Sequence, residues 1–190
     1  MSVCLYSNVM QVRFFDDIQR NRNNRAILDR WSMLSLTDAW LVGGCLCQTV
    51  WNLQAGHSPE ADIRDYDLFY FDPGDTSAEA ESGVQERIDE VLGELQVKIE
   101  ATNQARVHIW YESFFGRPYV KLGSAREGID RFLVLATRVG VRPGEVYAPS
   151  GLALLYDGVL SMNPLLPDRV LFDRKVGSYL ERWPWLRIQR

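Results

Sequence analysis

Between Thr37 and Asp72 the chain reads TDAWLVGGCLCQTVWNLQAGHSPEADIRDYDLFYFD, an order of elements that few folds accommodate. Leu36 to Val42 is apolar and short, as one buried strand requires, and Gly43 and Gly44 follow as a turn. Cys45 to Gln54 then places Leu46, Val50 and Leu53 on one helical face, with Gly56 as a stop signal. A loop from His57 to Arg64 leads to Asp65-Tyr-Asp-Leu-Phe-Tyr-Phe-Asp72, a strand with bulky residues on both faces and so central in a sheet. Side chains alternate along a strand, so Asp65 and Asp67 share a face around Tyr66. A glycine turn that opens a helix offers backbone N–H groups with no side chain in the way, an arrangement suited to phosphate. The stretch therefore predicts a phosphate cradle close to a pair of carboxylates.

The flanking segments supply a scaffold for it. Apolar residues Phe15, Ile18, Ile27, Leu28, Trp31 and Leu34 predict two helices broken near Asn21 to Asn24. After the Pro73-Gly74 turn, Thr76 or Ser77 caps a long acidic helix through Leu92, the expected crossover to a third strand at Gln96 to Ala101. In that strand Val97 and Ile99 point one way, and Lys98 and Glu100 the other. Thr102 or Asn103 is read as the cap of a helix carrying Val107, Trp110, Tyr111 and Phe114. Further on, the pattern predicts a helix around Ser124 to Phe132, extended or loop pieces at Leu135 to Arg142 and Glu145 to Ala148 around Pro143-Gly144, a helix from about Ser150, and another from Leu171 to Arg182. No repeat or linker divides the chain. It reads as one α+β domain over residues 1–190, with a core at about 37–115 and a helical and extended part at 116–190.

Composition narrows the function classes. Cys4, Cys45 and Cys47 are odd in number, and the last two sit two apart at a helix start, which matches neither a disulfide framework nor a zinc knuckle. A reducing, cytoplasmic setting is expected, since the N-terminus lacks a secretory pattern and no apolar run reaches membrane length. With only His57 and His108, a histidine-rich metal site or a histidine-dependent hydrolase has little support. The net charge of −4 conceals an asymmetry: residues 1–114 carry 9 basic and 18 acidic side chains, and residues 115–190 carry 12 and 7. An acidic part for cations beside a basic part for polyanions suits an enzyme of phosphates, although an uneven solvated surface gives the same count.

Asp65, Asp67 and Glu100 form the candidate constellation, because hard cations such as magnesium take clustered oxygen ligands and align phosphoryl chemistry. Each residue also has a structural reading. The aspartates fit equally a strand end paired with Arg64 and Arg106, Glu100 fits a surface partner of Lys98 or Arg106, Asn103 fits a simple cap, and Arg106 fits a brace.

The motifs Leu41-Val-Gly-Gly44, Asp65-Tyr-Asp67 with Phe71-Asp72, and Glu100-Ala-Thr-Asn-Gln-Ala-Arg-Val-His108 together resemble a bacterial nucleotidyltransferase-like family, formerly a domain of unknown function, within the polymerase-beta nucleotidyltransferase superfamily. The likeness continues through Thr137-Arg-Val-Gly-Val-Arg142, Tyr147-Ala-Pro-Ser-Gly-Leu152, Asn163-Pro164 and Trp183-Pro184. It implies a mixed central sheet flanked by helices. It also implies Mg2+- or Mn2+-dependent transfer of a nucleoside monophosphate from a nucleoside triphosphate to an acceptor hydroxyl on RNA, protein or a small molecule, with pyrophosphate leaving. On the matching positions the resemblance implies Asp65, Asp67 and Glu100 as the catalytic and metal carboxylates, and Gly43, Gly44, Asn103 and Arg106 as nucleotide-binding residues. Cys47-Gln48 stands where the family commonly has Arg-Asn, and Gly151 to Leu155 lacks an acidic residue often found there. Those departures leave a second reading, a catalytically degenerate nucleotide-binding or regulatory protein that keeps the fold.

Overall fold

The computed structural model describes the backbone of residues 2–189 and the side chains of residues 8–189; the side chain of Cys4 lies outside the described residues. Three helices come first: α1 (Ser2–Gln19), α2 (Arg22–Asp29) and α3 (Trp31–Leu34). Strand β1 (Trp40–Val42) runs through the glycine turn into α4 (Gly44–Gln54). Strand β2 (Asp65–Tyr70) is joined by α5 (Ala78–Leu92), capped by Ser77, to β3 (Lys98–Asn103). Then come α6 (Val107–Phe115), α7 (Ala125–Ile129), the hairpin of β4 (Gly140–Arg142) and β5 (Glu145–Tyr147), α8 (Ala153–Tyr156), β6 (Val159–Ser161), α9 (Arg169–Arg182) and β7 (Arg187–Gln189).

Five strands form the main sheet in the order β3-β2-β1-β4-β5, and β6 and β7 pair separately. Only β2 and β3 run parallel within the main sheet, as the α5 crossover between them requires. One face, with Leu41, Tyr66, Leu68 and Val141, packs on helices through Phe14, Ile18, Leu46, Val50 and Trp51. The other face bears Trp40 and Val42 under Ala125 and Ile129 of α7, with Phe69 and Phe132 alongside. Helix α7 covers part of this face, reaching β1 and β2.

Three details fix the position of the Thr37–Asp72 unit. The break between α1 and α2 is a buried polar joint: Asn21 caps α2 by accepting from the amides of Asn23 and Asn24. The Asn21 and Asn23 side-chain amides donate to the Tyr66 hydroxyl at 3.2 and 2.9 Å, and Asn21 also donates to Thr49 of α4 at 3.0 Å. Tyr66 is thereby tied down between the two aspartates. Helix α9 is fastened to α4 by Trp51, whose ring lies 5.1 Å from Tyr179 and 5.3 Å from Trp183, and by a Trp183 Nε1 bond to Asn52 Oδ1 at 3.0 Å. At the free border of the sheet, Gln85 of α5 accepts from the Ala101 amide at 2.9 Å and donates to the Ile99 carbonyl at 2.8 Å, while Glu81 accepts from the Asn103 amide at 2.9 Å.

Two changes from the expected boundaries bear on the site. The first strand begins at Trp40 instead of Leu36, because Asp38 takes a positive φ of 42° and turns the chain. Thr102 and Asn103 are strand residues and do not cap a helix: β3 stays paired with β2 as far as Tyr70 opposite Asn103, and the helix waits until Val107. Backbone pairing over six consecutive positions outweighs the local capping preference of one Asn.

Candidate active site

The site is set by sheet register. Val42 lies opposite Asp67 in the antiparallel β1–β2 pair, so the turn after Val42 runs alongside the start of β2, where Asp65 sits. Asp67 in turn lies opposite Glu100, and Asp65 opposite Lys98. One row across the sheet therefore reads Glu100, Asp67, Val42, Gly140, Tyr147, all on the face that α7 covers in part.

Gly43 is required twice over. Its φ of +62° and ψ of −115° lie where a side chain is strained, and an added Cβ would come within 2.9 Å of Phe132 Cζ. Phe132 is itself held by stacking on Phe69, with ring centroids 5.4 Å apart. The Gly43 amide donates to Val139 O at 2.9 Å, and its carbonyl receives Leu46 and Cys47, which starts α4. The first amides of a helix find no acceptor within it, and they carry the positive end of its dipole. The Gln48 side-chain amide lies over the turn, its Nε2 only 3.0 Å from where a Cβ on Gly44 would stand.

Neither Asp65 nor Asp67 forms an ion pair or accepts a side-chain hydrogen bond among the described residues, so the expected alternative of pairing with Arg64 or Arg106 is not what the structure holds. Burial pushes the Asp67 carboxyl up to about 7, and the neighbouring charges of Asp65 and then Glu100 add to the effect. Lys175 and Lys98 oppose it. Two carboxylates close together without donors have the chemistry of a site for a hard cation.

Glu100 stands in the row, but its carboxylate accepts from Lys98 Nζ at 2.8 Å, and both side chains are solvent-exposed. Hydrogen bonding to Glu100 raises the Lys98 ammonium above its ordinary range. Among the described residues, no group of three or more His, Cys, Asp and Glu side chains is arranged to hold a metal ion. Asp65 and Asp67 fit a cation as a pair completed by ligands from elsewhere, the mode in which magnesium is commonly held by one or two carboxylates plus phosphate oxygens.

Asn103 and Arg106 lie elsewhere. Asn103 falls on the opposite face of β3 from Glu100 and is 1% exposed. Its Oδ1 accepts from the amides of Asp72 and Ala105, both at 3.0 Å, and its Nδ2 donates to Asp72 O at 2.9 Å. Arg106 pairs with Glu81 and donates to Thr76 O at 3.2 Å. The two hold the β2, α5 and β3 ends together, and the structure does not bring them to the aspartates. Cys45 and Cys47 are free and buried, and burial raises both thiols far above the reactive range. Phe132 and Gln48 belong to no local sequence pattern: Phe132 is defined by its contacts with Gly43 and Phe69, distant in sequence, and Gln48 by its place over Gly44 and its bond from Arg182.

A nucleotidyltransferase family model matches residues 29–188. The chain belongs to this nucleotidyltransferase family. Over 93% of its length, and 94% of the other chain, it also resembles a solved structure described as revealing a CCA-adding enzyme head domain, with a TM-score of 0.75 and 24% identity. That likeness supports the fold: an α+β nucleotidyltransferase with a mixed central sheet flanked by helices. No curated protein sequence matches the chain. Among the described residues of this nucleotidyltransferase, no helix is long and apolar enough to cross a membrane.

Proposed function

We propose that this nucleotidyltransferase moves a nucleoside monophosphate from a nucleoside triphosphate to an acceptor hydroxyl, with Asp65 and Asp67 holding Mg2+ or Mn2+. The observation that carries the reading is the unpartnered Asp65–Asp67 pair beside the Gly43–Gly44 helix start, with Asp67 raised to about 7. When bound, the ion supplies charge neutralisation for the phosphoryl oxygens and aligns the attacking and leaving oxygens. The missing Cβ of Gly43 makes room for Phe132, and the first amides of α4, which have no acceptor within the helix, are what this turn offers to the phosphates. The acceptor oxygen forms the new bond to the α-phosphorus, the bond to the β-phosphate oxygen breaks, and pyrophosphate leaves. The acceptor proton passes to Glu100, on the open border of the row. Glu100 leaves Lys98 to do so, and an exposed pair of this kind exchanges readily with water.

The same Lys98–Glu100 pair is what favours the second reading, a protein that binds nucleotide without turnover. Each labelled nucleoside triphosphate, incubated with the protein, Mg2+ or Mn2+ and cell extract, separates them. A labelled acceptor that disappears in the Asp65→Asn plus Asp67→Asn variant supports transfer through these residues. Labelling that survives the double substitution refutes the assigned site, and metal-dependent nucleotide binding with no labelled acceptor selects the second reading.

A further inference from the structure

The polar face of helix α9 borders Asp65. Lys175, Ser178 and Arg182 recur at three- and four-residue spacing and so share one face. Arg182 is fixed in place: Nη1 donates to Gln48 Oε1 at 2.8 Å and to Asp62 O at 3.0 Å, and its guanidinium lies 4.3 Å from the centre of the Trp183 ring. Gln48 thus spans from Arg182 to the Gly44 turn. A cavity of about 150 Å³ opens here, lined by Gln48, Arg64, Asp65, Ser178, Glu181 and Arg182. Lys175 lies one turn back on the same face, near enough for its charge to be felt at Asp67, Cys47 and Tyr179.

The three cations of this cluster form no ion pair among the described residues, a state they share with others such as Arg20, Arg87 and Lys121; what distinguishes them is that they are gathered beside one cavity. Nine basic side chains sit within ion-pair distance of a carboxylate among the described residues, and Arg64, Lys175 and Arg182 are not among them. Arg182 is disfavoured as a cation by burial, although the neighbouring Tyr179 offsets part of this, and Arg64 adds repulsion. Two guanidiniums and an ammonium drawn together with no carboxylate paired to them are complementary to a polyanion. Asp65 and Glu181 also line the cavity, and neither pairs with a cation among the described residues.

We infer that Arg64, Lys175 and Arg182, with the Gln48 amide, form the seat of the β- and γ-phosphates of the donor triphosphate and of the pyrophosphate it releases. The inference rests on the transferase reading, because it supplies the anion half of the same site. It gives Gln48 a role as the link from the glycine turn to α9, and it accounts for a basic C-terminal part folded against an acidic N-terminal one.

The test is calorimetric binding of inorganic triphosphate, with and without Mg2+, to the full chain and to Arg64→Ala, Lys175→Ala and Arg187→Ala. Arg64 and Lys175 are exposed, so their removal leaves packing intact, and Arg187 on β7 is a charge-matched control. Arg64→Ala and Lys175→Ala are each expected to weaken binding by about tenfold or more, as loss of a charge-assisted contact does, with Arg187→Ala unchanged. Equal binding by all four proteins, equal weakening in Arg187→Ala, or no binding by the unmodified chain overturns the inference. Failure of the transferase reading looks different: triphosphate binding stays sensitive to Arg64 and Lys175 while no acceptor is ever labelled.

Discussion

Replacing Asp67 with Asn should make the metal-free protein more stable at pH 8. Asp67 moves from an ordinary 3.8 to about 7 in the folded chain, chiefly through burial. The folded protein therefore holds this proton more tightly than the unfolded one. Below the unfolded value both states are protonated and the residue has no effect on stability. As pH rises from there to about 7 the unfolded chain releases its proton first, and stability falls; above that the cost is constant. The full displacement corresponds to about 4 kcal/mol at 1.36 kcal/mol per pKa unit, and relaxation of nearby water brings the observable to about 2 to 3 kcal/mol. Urea unfolding of wild type and D67N between pH 4 and pH 8, without divalent ions, measures it. The curves should converge at pH 4 and separate steadily, with D67N the more stable at pH 8. Adding Mn2+ with a nucleoside triphosphate should reverse the order, since only the wild type gains binding energy. A D67N protein less stable than wild type at pH 8 in the absence of metal, or a difference that does not change with pH, would refute the placing of an uncompensated buried carboxylate in the site.

Other substitutions probe separate parts of the site. Gly43→Ala meets both a positive φ and Phe132, so unfolding experiments should show a loss of about 2 to 4 kcal/mol, whereas G44A should lose less. Tyr66→Phe strands the Asn23 amide in the interior and leaves Asn21 with Thr49 alone, and the same measurement should give a loss of about 1 to 3 kcal/mol with reduced metal-dependent nucleotide binding, because β2 is no longer braced between its aspartates. Glu100→Gln, which keeps shape and exposure, should lower the rate of nucleotidyl transfer by about 10²- to 10⁴-fold in a single-turnover assay while leaving the urea midpoint where it was; an unchanged rate would remove Glu100 from proton transfer.

The unit from β1 to β2 was legible because each part announces itself locally: a short apolar run, glycines, a 3.6-residue period and then a strand of alternating carboxylates. The α5 crossover followed from its length and cap, and it fixed β3 beside β2. What escaped was decided by partners far away in sequence. The pieces that hold β4 and β5 were legible on either side of Pro143-Gly144, but their place in the sheet rests on Val141 opposite Leu41. Asn103 carried the signature of a cap and is instead the last paired residue of β3. Asn21 to Asn24 marks a break between helices in the sequence, and only the position of the Tyr66 hydroxyl shows why such polar residues are buried there. The cations of α9 had a helical period of their own, but nothing local to α9 says that Trp51 turns that face toward Asp65.

Gln85 and Glu81 give the border of β3 a further meaning. By occupying the backbone groups of Ile99, Ala101 and Asn103, α5 acts as a side-chain substitute for a sixth strand, and the sheet ends there without an adhesive rim. A molecule that approaches Glu100 along this border enters a groove of about 970 Å³ with Trp110, Phe114 and Phe115 in its wall. It finds no ladder to extend. Recognition of an extended peptide by strand addition is closed off at this border, and whatever reaches Glu100 there is read by its shape and its rings.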